Sequence, residues 1–360
     1  MALLSSFSSS VKVFWIIIVI FLHRNVATKT PPRNETTAAV FSFGDSILDT
    51  GNNNYIISVS KCNFPPYGRD FQGGKPTGRF CNGRVPSDFI AQGFGVKESL
   101  PAYLDPNLQL KDLLTGVCFA SSGSGYDTLT AKLQNVLSLP EQLDLFKEYK
   151  SKIDAAVGNE RTATILSNSL FLLSVGVNDL QINYFSTPLR SSHYDIQAYT
   201  DLLLESASNF LEELYGLGAR VIGVINMLPI GCVPSQRTLH GGKERVCYEA
   251  ENQAAILFNS KLSPLIDSLN KRLPEAQLIY LDLYNPLISM IQNPAEYGFE
   301  VVDKGCCGTG IIEVGPLCNK DSPGTCTDAS KYVFWDGIHP TETAYRIFTS
   351  KVLKQVNKFF

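Results

Sequence analysis

Short apolar runs alternate with longer amphipathic stretches along most of this 360-residue chain, and this alternation constrains its fold more than any other feature. A nearly continuous apolar run is typical of a parallel strand that is covered on both faces. Strands that alternate with helices predict a parallel sheet with helices on both of its faces. We predict four such strands, at residues 38–43, 170–175, 221–225 and 278–283. Ligands of such sheets bind at the carboxyl ends of the strands.

The amphipathic stretches predict helices. Ser138 is the expected N-cap of the first, which carries Pro140 in its opening turn. The third is expected to be kinked or interrupted at Pro264, and the last begins at Pro340. The stripes expected to face the core are Leu143, Phe146, Tyr149 and Ile153; Leu203, Ala207, Phe210 and Leu214; Ala250, Ala254, Leu257, Leu265, Leu269 and Leu273; and Ala344, Ile347, Val352 and Val356.

No internal repeat and no linker divides these elements, so we expect residues 38–360 to form a single domain. Within it, the glycine-rich stretch 71–84 is expected to be a long surface loop.

The first 27 residues are typical of a signal peptide. A basic residue precedes an apolar run over residues 13–22, which is shorter than the roughly 20 apolar residues that span a bilayer. We expect cleavage near Ala27, with an uncleaved membrane anchor as the alternative, and no membrane span in the mature chain. Residues 28–37 then form an N-terminal segment with a glycosylation sequon at Asn34. These features predict a secreted, extracellular glycoprotein.

The nine cysteines all follow the signal segment, and so high a count fits an oxidising compartment. Cys306, Cys307, Cys318 and Cys326 cluster among glycine and proline residues, which predicts a loop cross-linked by disulfides. A zinc site is the alternative, although the C-x-x-C spacing is absent. Nine is odd, so at least one thiol is unpaired unless it bridges two chains. Cys118, in an apolar segment, is expected to be a buried free thiol.

The formal net charge is only −3, which argues against a nucleic-acid partner because phosphate binding needs a concentrated basic face. A nucleotide-binding α/β protein is a further alternative. The chain lacks both G-x-x-x-x-G-K-[ST] and a complete G-x-G-x-x-G, which disfavours it.

Three histidines remain after the signal segment, and one of them has the neighbours of a catalytic base. His193 and His240 lie in polar stretches that are typical of surface loops. His339 follows Asp336 by three residues, directly before the last predicted helix. A carboxylate at this spacing can accept a hydrogen bond from Nδ1, which leaves Nε2 free as a base. The alternative is a solvated loop at a helix N-terminus.

Ser46 is the candidate nucleophile because it follows the first predicted strand. Gly44 permits a close backbone approach, and Ser46 then leads into a turn. The alternative is ordinary turn chemistry, in which Asp45 or Ser46 caps the next helix. No G-x-S-x-G motif occurs, so the usual α/β-hydrolase signature is absent.

Two segments at strand ends contain donors for an oxyanion, each worth about 3–4 kcal/mol in the transition state of ester cleavage. Residues 121–125, Ser-Ser-Gly-Ser-Gly, offer backbone N–H groups, and Asn178 in Gly-Val-Asn-Asp offers a side-chain amide. Taken singly, such loops are common.

Together, these segments resemble the plant-type branch of the GDSL (SGNH-hydrolase) family of esterases and lipases. The resemblance covers nearly all of the mature chain, and its blocks come in the family's order. They are Phe-Ser-Phe-Gly-Asp-Ser-Ile-Leu-Asp-Thr-Gly-Asn-Asn at 41–53, Ala-Ser-Ser-Gly at 120–123, Gly-Val-Asn-Asp at 176–179 and Asp-Gly-Ile-His-Pro at 336–340. Residues 77–84 also resemble the plant branch, with no catalytic role that we derive, and residues 115–130 resemble the extracellular lipase subgroup.

The resemblance implies a fold and a role for each site residue. The fold is a three-layer α/β/α sandwich with a five-stranded parallel sheet, of the SGNH-hydrolase, flavodoxin-like type. Ser46 is the implied nucleophile, with His339 as base and Asp336 as its orienting partner. The N–H groups of Ser46 and Gly123 and the amide of Asn178 form the implied oxyanion hole. Ser122 stands where many relatives have glycine, next to the Gly123 donor.

These roles predict a serine esterase or lipase that cleaves acyl esters through an acyl-enzyme, with no metal or organic cofactor. The substrate is expected to be a lipid, a cutin-like ester or an acetylated polysaccharide. One alternative is an acyltransferase that passes the same acyl group to a hydroxyl in extracellular polymer synthesis. Another is an inactive relative that binds lipid or wall polymer.

Overall fold

The computed structural model describes residues 38–309, 318–321 and 324–360. Its main sheet consists of β1 (Val40–Gly44), β2 (Leu170–Ser174), β3 (Val221–Ile225) and β4 (Gln277–Leu281), adjacent in that order. All three pairings are parallel. The predicted parallel sheet is therefore confirmed. The predicted signal peptide, the segment 28–37 and the sequon at Asn34 lie outside the described residues.

The regular sheet has four strands rather than the five that the resemblance implies. The fifth position, beside β1, is occupied by residues 115–121, which run parallel to β1 but are bridged to it only at Cys118. Gly116 contributes to the irregularity: it has a φ of +93°, and a Cβ there would lie 1.9 Å from the carbonyl oxygen of Val40. The N–H groups of Phe119 and Ala120 also share one acceptor, the carbonyl oxygen of Ser42. The ladder is therefore uneven, with N···O distances from 2.7 to 3.4 Å.

With this segment counted, the strand order is that of a flavodoxin-like sheet. The chain leaves β1 for the edge position on one side and then returns past β1 to β2 on the other. Two connections thus diverge at the carboxyl end of β1, which opens a crevice there, and such crevices bind ligands.

Helices cover both faces of the sheet. Those described are α1 (Pro86–Gly93), α2 (Leu110–Leu113), α3 (Thr128–Gln134), α4 (Leu139–Val157), α5 (Asn159–Ser167), α6 (Pro188–Ser191), α7 (Ile196–Gly216), α8 (Pro234–His240), α9 (Glu249–Arg272), α10 (Tyr284–Gln292), α11 (Pro294–Tyr297) and α12 (Glu342–Val356). A π-helical segment spans Asp179–Ser186, and a small parallel ribbon joins β5 (Val301–Gly305) to β6 (Tyr332–Phe334). None of the described helices is long and apolar enough to cross a membrane.

Neighbouring residues of β1 identify the two helical layers, because successive side chains of a strand point to opposite faces. Phe43 packs against Phe146 of α4 and Phe210 of α7, with ring centroids 5.6 Å apart in both pairs. Ser42 instead accepts a hydrogen bond of 3.1 Å from Ser87 of α1. Helices α4 and α7 therefore lie on one face and α1 on the other, which confirms the three-layer α/β/α architecture.

The first two predicted helices are confirmed. Helix α4 begins after Ser138, whose N–H and hydroxyl both donate to Glu141, at 2.8 and 2.6 Å. The predicted stripe of α7 is buried throughout.

The third stripe was wrong in part, because Ala250 is exposed and Leu257 and Leu265 are only half-buried. Two polar side chains of α9 point inward instead: Asn252 accepts from the N–H of Gly231, and Asn259 binds both backbone groups of Met227. These bonds set the rotation of α9 about its axis. The helix also continues through Pro264 without interruption.

The stretch 71–84 is not the surface loop that its composition predicts, since its second half is buried. The Arg79 guanidinium makes two hydrogen bonds of 2.8 Å to Asp88 and donates to the carbonyl oxygens of Thr50 and Leu100. Arg79 thereby joins the turn after β1 to α1. A buried ion pair with this many partners compensates for the loss of hydration of both charges.

All nine cysteines lie in the described part of the chain. The predicted disulfide-linked loop is confirmed, and a further bridge lies beside the start of α9. Cys118 is free and buried, as predicted, and two other buried thiols are free as well. The disulfides are Cys232–Cys247, Cys306–Cys326 and Cys307–Cys318, and the free thiols are Cys62, Cys81 and Cys118.

Glu251, in the first turn of α9, makes the stability of the fold depend on pH. Its side chain is fully buried, and neither carboxyl oxygen has a hydrogen-bond partner among the described residues. Burial raises the pKa of Glu251 from 4.5 to about 8. The folded protein therefore binds a proton that the unfolded chain loses, so the free energy of unfolding falls as pH rises through this interval.

We expect Glu251→Gln to remove this pH dependence, because the amide remains neutral. Thermal unfolding measured from pH 4 to pH 8 should give equal stabilities at pH 4 and a variant more stable at pH 8, by on the order of 4 kcal/mol. Glu249→Gln, in the same turn but exposed, is the matched control and should behave like wild type. Parallel curves for all three proteins would show that Glu251 does not bind a proton in this range.

Candidate active site

The turn after β1 presents the hydroxyl of Ser46. Gly44 ends the strand with a φ of +121°, and a Cβ there would lie 1.9 Å from the carbonyl oxygen of Ser174. Glycine is therefore required, because β1 and β2 approach too closely for any side chain. The N–H of Asp45 then donates to the same carbonyl, and its carboxylate accepts from the N–H of Ile47. This turn fixes Ser46 at the carboxyl edge of the sheet.

The candidate base lies on a short loop between β6 and α12. One carboxylate oxygen of Asp336 accepts hydrogen bonds of 2.8 Å from the N–H groups of Ile338 and His339. The His339 ring turns back so that its Nδ1 lies 2.9 and 2.8 Å from the two oxygens of Asp336. With Nδ1 bonded to this carboxylate, the lone pair of Nε2 faces away from Asp336.

The structure brings these two segments together although 293 residues separate them. Nε2 of His339 lies 2.8 Å from Oγ of Ser46. Ser46, His339 and Asp336 are 7%, 6% and 2% exposed, so all three side chains are shielded from most of the solvent. A hydroxyl, an imidazole and a carboxylate in this sequence form the arrangement that activates a serine nucleophile.

The two predicted oxyanion segments meet at the same edge of the sheet. Gly123 has a φ of +89°, and the amide of Asn178 donates to the carbonyl oxygen of Ser124 at 2.9 Å. Since an amide carries two hydrogens, one remains available to Asn178. Among the described residues, the N–H groups of Ser46 and Gly123 have no acceptor.

Asp179 holds these segments in place, a role that the sequence did not reveal. Its carboxylate accepts from the N–H groups of Tyr126 and Asp127, at 2.7 and 3.1 Å, and from the hydroxyl of Thr130. Burial raises the pKa of Asp179 to about 7, against the effect of these donors. The loop that carries Gly123 is thus bound to the end of β2.

Ser122, where the resemblance implies glycine in many relatives, makes hydrogen bonds through its backbone and its side chain. Its N–H donates to Asp49 at 3.0 Å, and its hydroxyl lies 2.9 Å from that of Ser60. The Ser122 side chain therefore contacts the loop before Cys62. We conclude that serine at this position links the oxyanion loop to the pocket rim.

Two aromatic residues that sequence reasoning missed support the acid and the base. The hydroxyl of Tyr67 donates to the second oxygen of Asp336 at 2.8 Å, across 269 residues. Burial and the Asp336 charge raise the pKa of Tyr67 well above its usual value, so it remains a donor. The ring of Phe80 packs on the His339 ring with centroids 4.9 Å apart. Phe80 belongs to the motif at 77–84, which therefore supports His339 and also contributes to the pocket over Ser46.

The charges of the site favour an ionised acid next to the base. Burial alone raises the pKa of Asp336, but the charge of His339 and the hydrogen bonds from His339 and Ile338 outweigh it and hold that pKa below its usual value. Asp45, beside Ser46, has its pKa raised to about 7 by burial, which the N–H of Ile47 and the charge of His339 only partly offset. Of these two carboxyl groups, Asp336 contacts His339 Nδ1 and has the lowered pKa, so it is the one that is ionised beside the imidazole.

A pocket of about 410 Å³ opens over Ser46, in the range of small-molecule sites. It is mainly apolar, and its lining includes Ser46, His339, Gly123 and Asn178. The apolar side chains in its wall are Ile47, Val59, Phe64, Phe80, Val177, Ile182, Leu228 and Ile338. An apolar chain can lie along this wall while a polar group reaches Ser46.

The other predicted residues fall elsewhere. His193 and His240 are exposed and do not line this pocket, in agreement with their expected surface positions. His240 stacks on Tyr248 at the end of α8.

Comparisons with known proteins place the chain in a family. The model of the GDSL-like lipase/acylhydrolase family matches residues 40–352. GDSL esterase/lipase EXL3 of Arabidopsis thaliana is 54% identical over 343 residues, which cover 95% of this chain and 94% of that protein. GDSL esterase/lipase EXL2 of the same plant is 47% identical and covers 98% and 97%.

Among solved structures, a catalytic mutant of the acetylxylan esterase Axe2 from Geobacillus stearothermophilus is similar with a TM-score of 0.41 and 11% identity, over 91% of this chain and 96% of that one. The family assignment rests on the sequence matches, which extend over nearly the whole of both proteins. The chain thus belongs to the GDSL-like lipase/acylhydrolase family and is a carboxylic ester hydrolase.

Proposed function

We propose that this hydrolase is a secreted serine esterase or lipase in which Ser46, His339 and Asp336 carry out the reaction. The observation that carries the proposal is the continuous row of short contacts, 2.8 Å from Ser46 Oγ to His339 Nε2 and 2.8 Å from His339 Nδ1 to Asp336. Because this row ends in an apolar pocket, an acyl ester can bring its carbonyl carbon to the hydroxyl.

In the first half of the reaction, Oγ of Ser46 bonds to the ester carbonyl carbon while Nε2 of His339 takes the hydroxyl proton. The carbonyl electron pair moves to its oxygen, which the N–H groups of Ser46 and Gly123 and the amide of Asn178 are positioned to receive. Asp336 stabilises the imidazolium. The pair then returns, the bond to the alcohol oxygen breaks, and that oxygen takes the proton from Nε2.

The second half repeats these steps with water. Nε2 of His339 takes a proton from water as the water oxygen bonds to the acyl carbon, and the collapse of the second tetrahedral species restores Ser46 and releases the acid. In both halves, Nε2 of His339 accepts the proton and then returns it to the leaving oxygen.

The substrate that we propose is an ester with an apolar acyl part, such as a lipid or a cutin-like ester. The wall of the pocket is built mainly of aliphatic and aromatic side chains, which favours burial of hydrocarbon. The names of the relatives, esterase/lipase, agree with this class.

A fluorophosphonate tests the proposed nucleophile directly, because a serine oxygen displaces its fluoride and remains bonded to phosphorus. We expect one equivalent to abolish hydrolysis of p-nitrophenyl esters and to add its mass to the peptide that contains Ser46. Labelling of a different residue, or full activity after labelling, would contradict the proposal. Adding an alcohol and measuring transferred ester against released acid distinguishes hydrolysis from acyl transfer.

Secretion is supported by the three disulfides, which form and persist in oxidising compartments. We propose that the mature protein begins after Ala27 and carries a glycan on Asn34. N-terminal sequencing and intact mass of the protein recovered from the medium, before and after deglycosylation, test both assignments.

A further inference from the structure

Apolar side chains project into water at the rim of the pocket. Ile57 and Val59, in the loop that leads to Cys62, are 90% and 91% exposed, Phe64 is 39% exposed, and Leu133 of α3 is 46% exposed. We call Ile57, Val59, Phe64 and Leu133 the rim patch. Single exposed apolar residues are ordinary, but a group of them beside a binding site marks an interaction surface.

The members of the rim patch belong together because the loop is bound to α3. The carbonyl oxygen of Ile57 accepts from the side chain of Asn135, and the hydroxyl of Ser58 donates to the carbonyl oxygen of Gln134 at 3.1 Å. Ile57 is thereby joined to the turn of α3 that contains Leu133.

The rim patch is also held in its exposed position. The amide of Asn53 donates to the carbonyl oxygen of Ser60 at 2.8 Å, and the hydroxyls of Ser60 and Ser122 lie 2.9 Å apart. The backbone beside Val59 is thus tied to the turn after β1 and to the oxyanion loop. Two almost fully exposed aliphatic side chains on an anchored backbone are arranged for contact with something outside this chain.

The rim patch continues into the catalytic pocket. Val59 and Phe64 belong to both, and they line the same pocket as Ile182, Ile338 and Ser46. An ester aggregate seated on the patch would therefore have its acyl chains next to the pocket entrance. A protein or a second copy of this chain seated there would instead cover the entrance.

We propose that the rim patch docks this enzyme on the surface of aggregated long-chain esters, from which single acyl chains enter the pocket. This proposal rests on the ester hydrolysis proposed above and adds the physical state of the substrate. Burial of the rim patch in the ester phase supplies the binding free energy, in proportion to the apolar area removed from water.

The test compares the double variant Ile57→Ser/Leu133→Ser with wild type. Neither residue lines the pocket, so kcat/KM for dissolved p-nitrophenyl acetate should change less than twofold. The rate on an emulsified long-chain triacylglycerol should fall by on the order of tenfold or more. Leu239→Ser/Val246→Ser removes two other exposed apolar side chains, 58% and 56% exposed, that do not line the pocket. This matched control should hydrolyse both p-nitrophenyl acetate and the emulsion at the wild-type rate.

A binding measurement separates docking from catalysis. Protein carrying Ser46→Ala should float with liposomes that contain the triacylglycerol, and adding Ile57→Ser/Leu133→Ser should abolish flotation. Equal emulsion rates and equal flotation for the rim variant and its control would overturn the docking proposal. So would a wild-type dimer that the rim substitutions dissociate without lowering the emulsion rate. Failure of wild type to cleave any ester, with flotation intact, would overturn the proposed function and leave docking supported.

Discussion

Replacing Ser46 with alanine is expected to lower kcat/KM by about 10⁴–10⁶-fold for every ester that the enzyme cleaves. Without the hydroxyl, the His339 base has no nucleophile to activate, and only the oxyanion donors and the pocket remain. A hydroxyl that contributed binding alone would instead change KM by a small factor. The measurement is steady-state hydrolysis of p-nitrophenyl esters with acyl chains of graded length.

Ser235→Ala is the matched control for this substitution. Ser235 is also 7% exposed, and its hydroxyl has no partner among the described residues. Loss of that hydroxyl should leave kcat/KM within about twofold, in keeping with a polar group that makes no hydrogen bond. If Ser46→Ala retained more than a tenth of the wild-type rate, Ser46 would not be the nucleophile.

Asp336→Asn should lower kcat by about 10⁴-fold without unfolding the protein. One oxygen of Asp336 accepts from two backbone N–H groups, so the oxygen of asparagine will take that position. Its NH₂ group must then occupy the other position, where it donates toward His339 Nδ1. The ring is forced to carry its proton on Nε2, which can no longer accept one from Ser46. The rate loss should appear in kcat for all acyl chain lengths.

Tyr67→Phe provides a graded comparison at the same carboxylate. It removes one hydrogen bond to Asp336 while keeping the aromatic ring, so kcat should fall by about tenfold, as expected for one bond to a charged group. A larger loss of kcat in Tyr67→Phe than in Asp336→Asn would contradict the proposal that Tyr67 acts only through Asp336.

The sequence predicts those parts of the fold that are determined by residues close together in the chain. Buried parallel strands are continuous apolar runs, and all four were placed within two residues of their observed bounds. The segments that carry Ser46 and His339 follow local turn chemistry, and the family resemblance connected them. Features that depend on distant partners were missed, because nothing near Tyr67 in the sequence indicates Asp336.

The errors have the same origin. The rotation of α9 is set by Asn252 and Asn259, polar residues that appear solvent-facing in a hydropathy pattern but bind buried backbone groups. The stretch 71–84 has a loop composition, yet Arg79 is buried because Asp88 lies opposite it. The segment beside β1 departs from a regular ladder at Gly116, and again where the N–H groups of Phe119 and Ala120 share the carbonyl oxygen of Ser42.

The disulfide-linked segment that begins at Cys306 lies directly against the loop that carries Asp336 and His339. A Cβ on Gly305 would lie 2.8 Å from the carbonyl oxygen of Asp336, so the residue just before Cys306 and Cys307 abuts the acid directly. The N–H of Cys307 donates to the carbonyl oxygen of Trp335 at 2.6 Å. Before Cys306 and Cys307 form their disulfides, the segment that packs against the loop of His339 is not cross-linked. The position of Ser46 after β1 does not depend on these bonds. In the secreted protein that we propose, His339 would gain this support when the disulfides form during export.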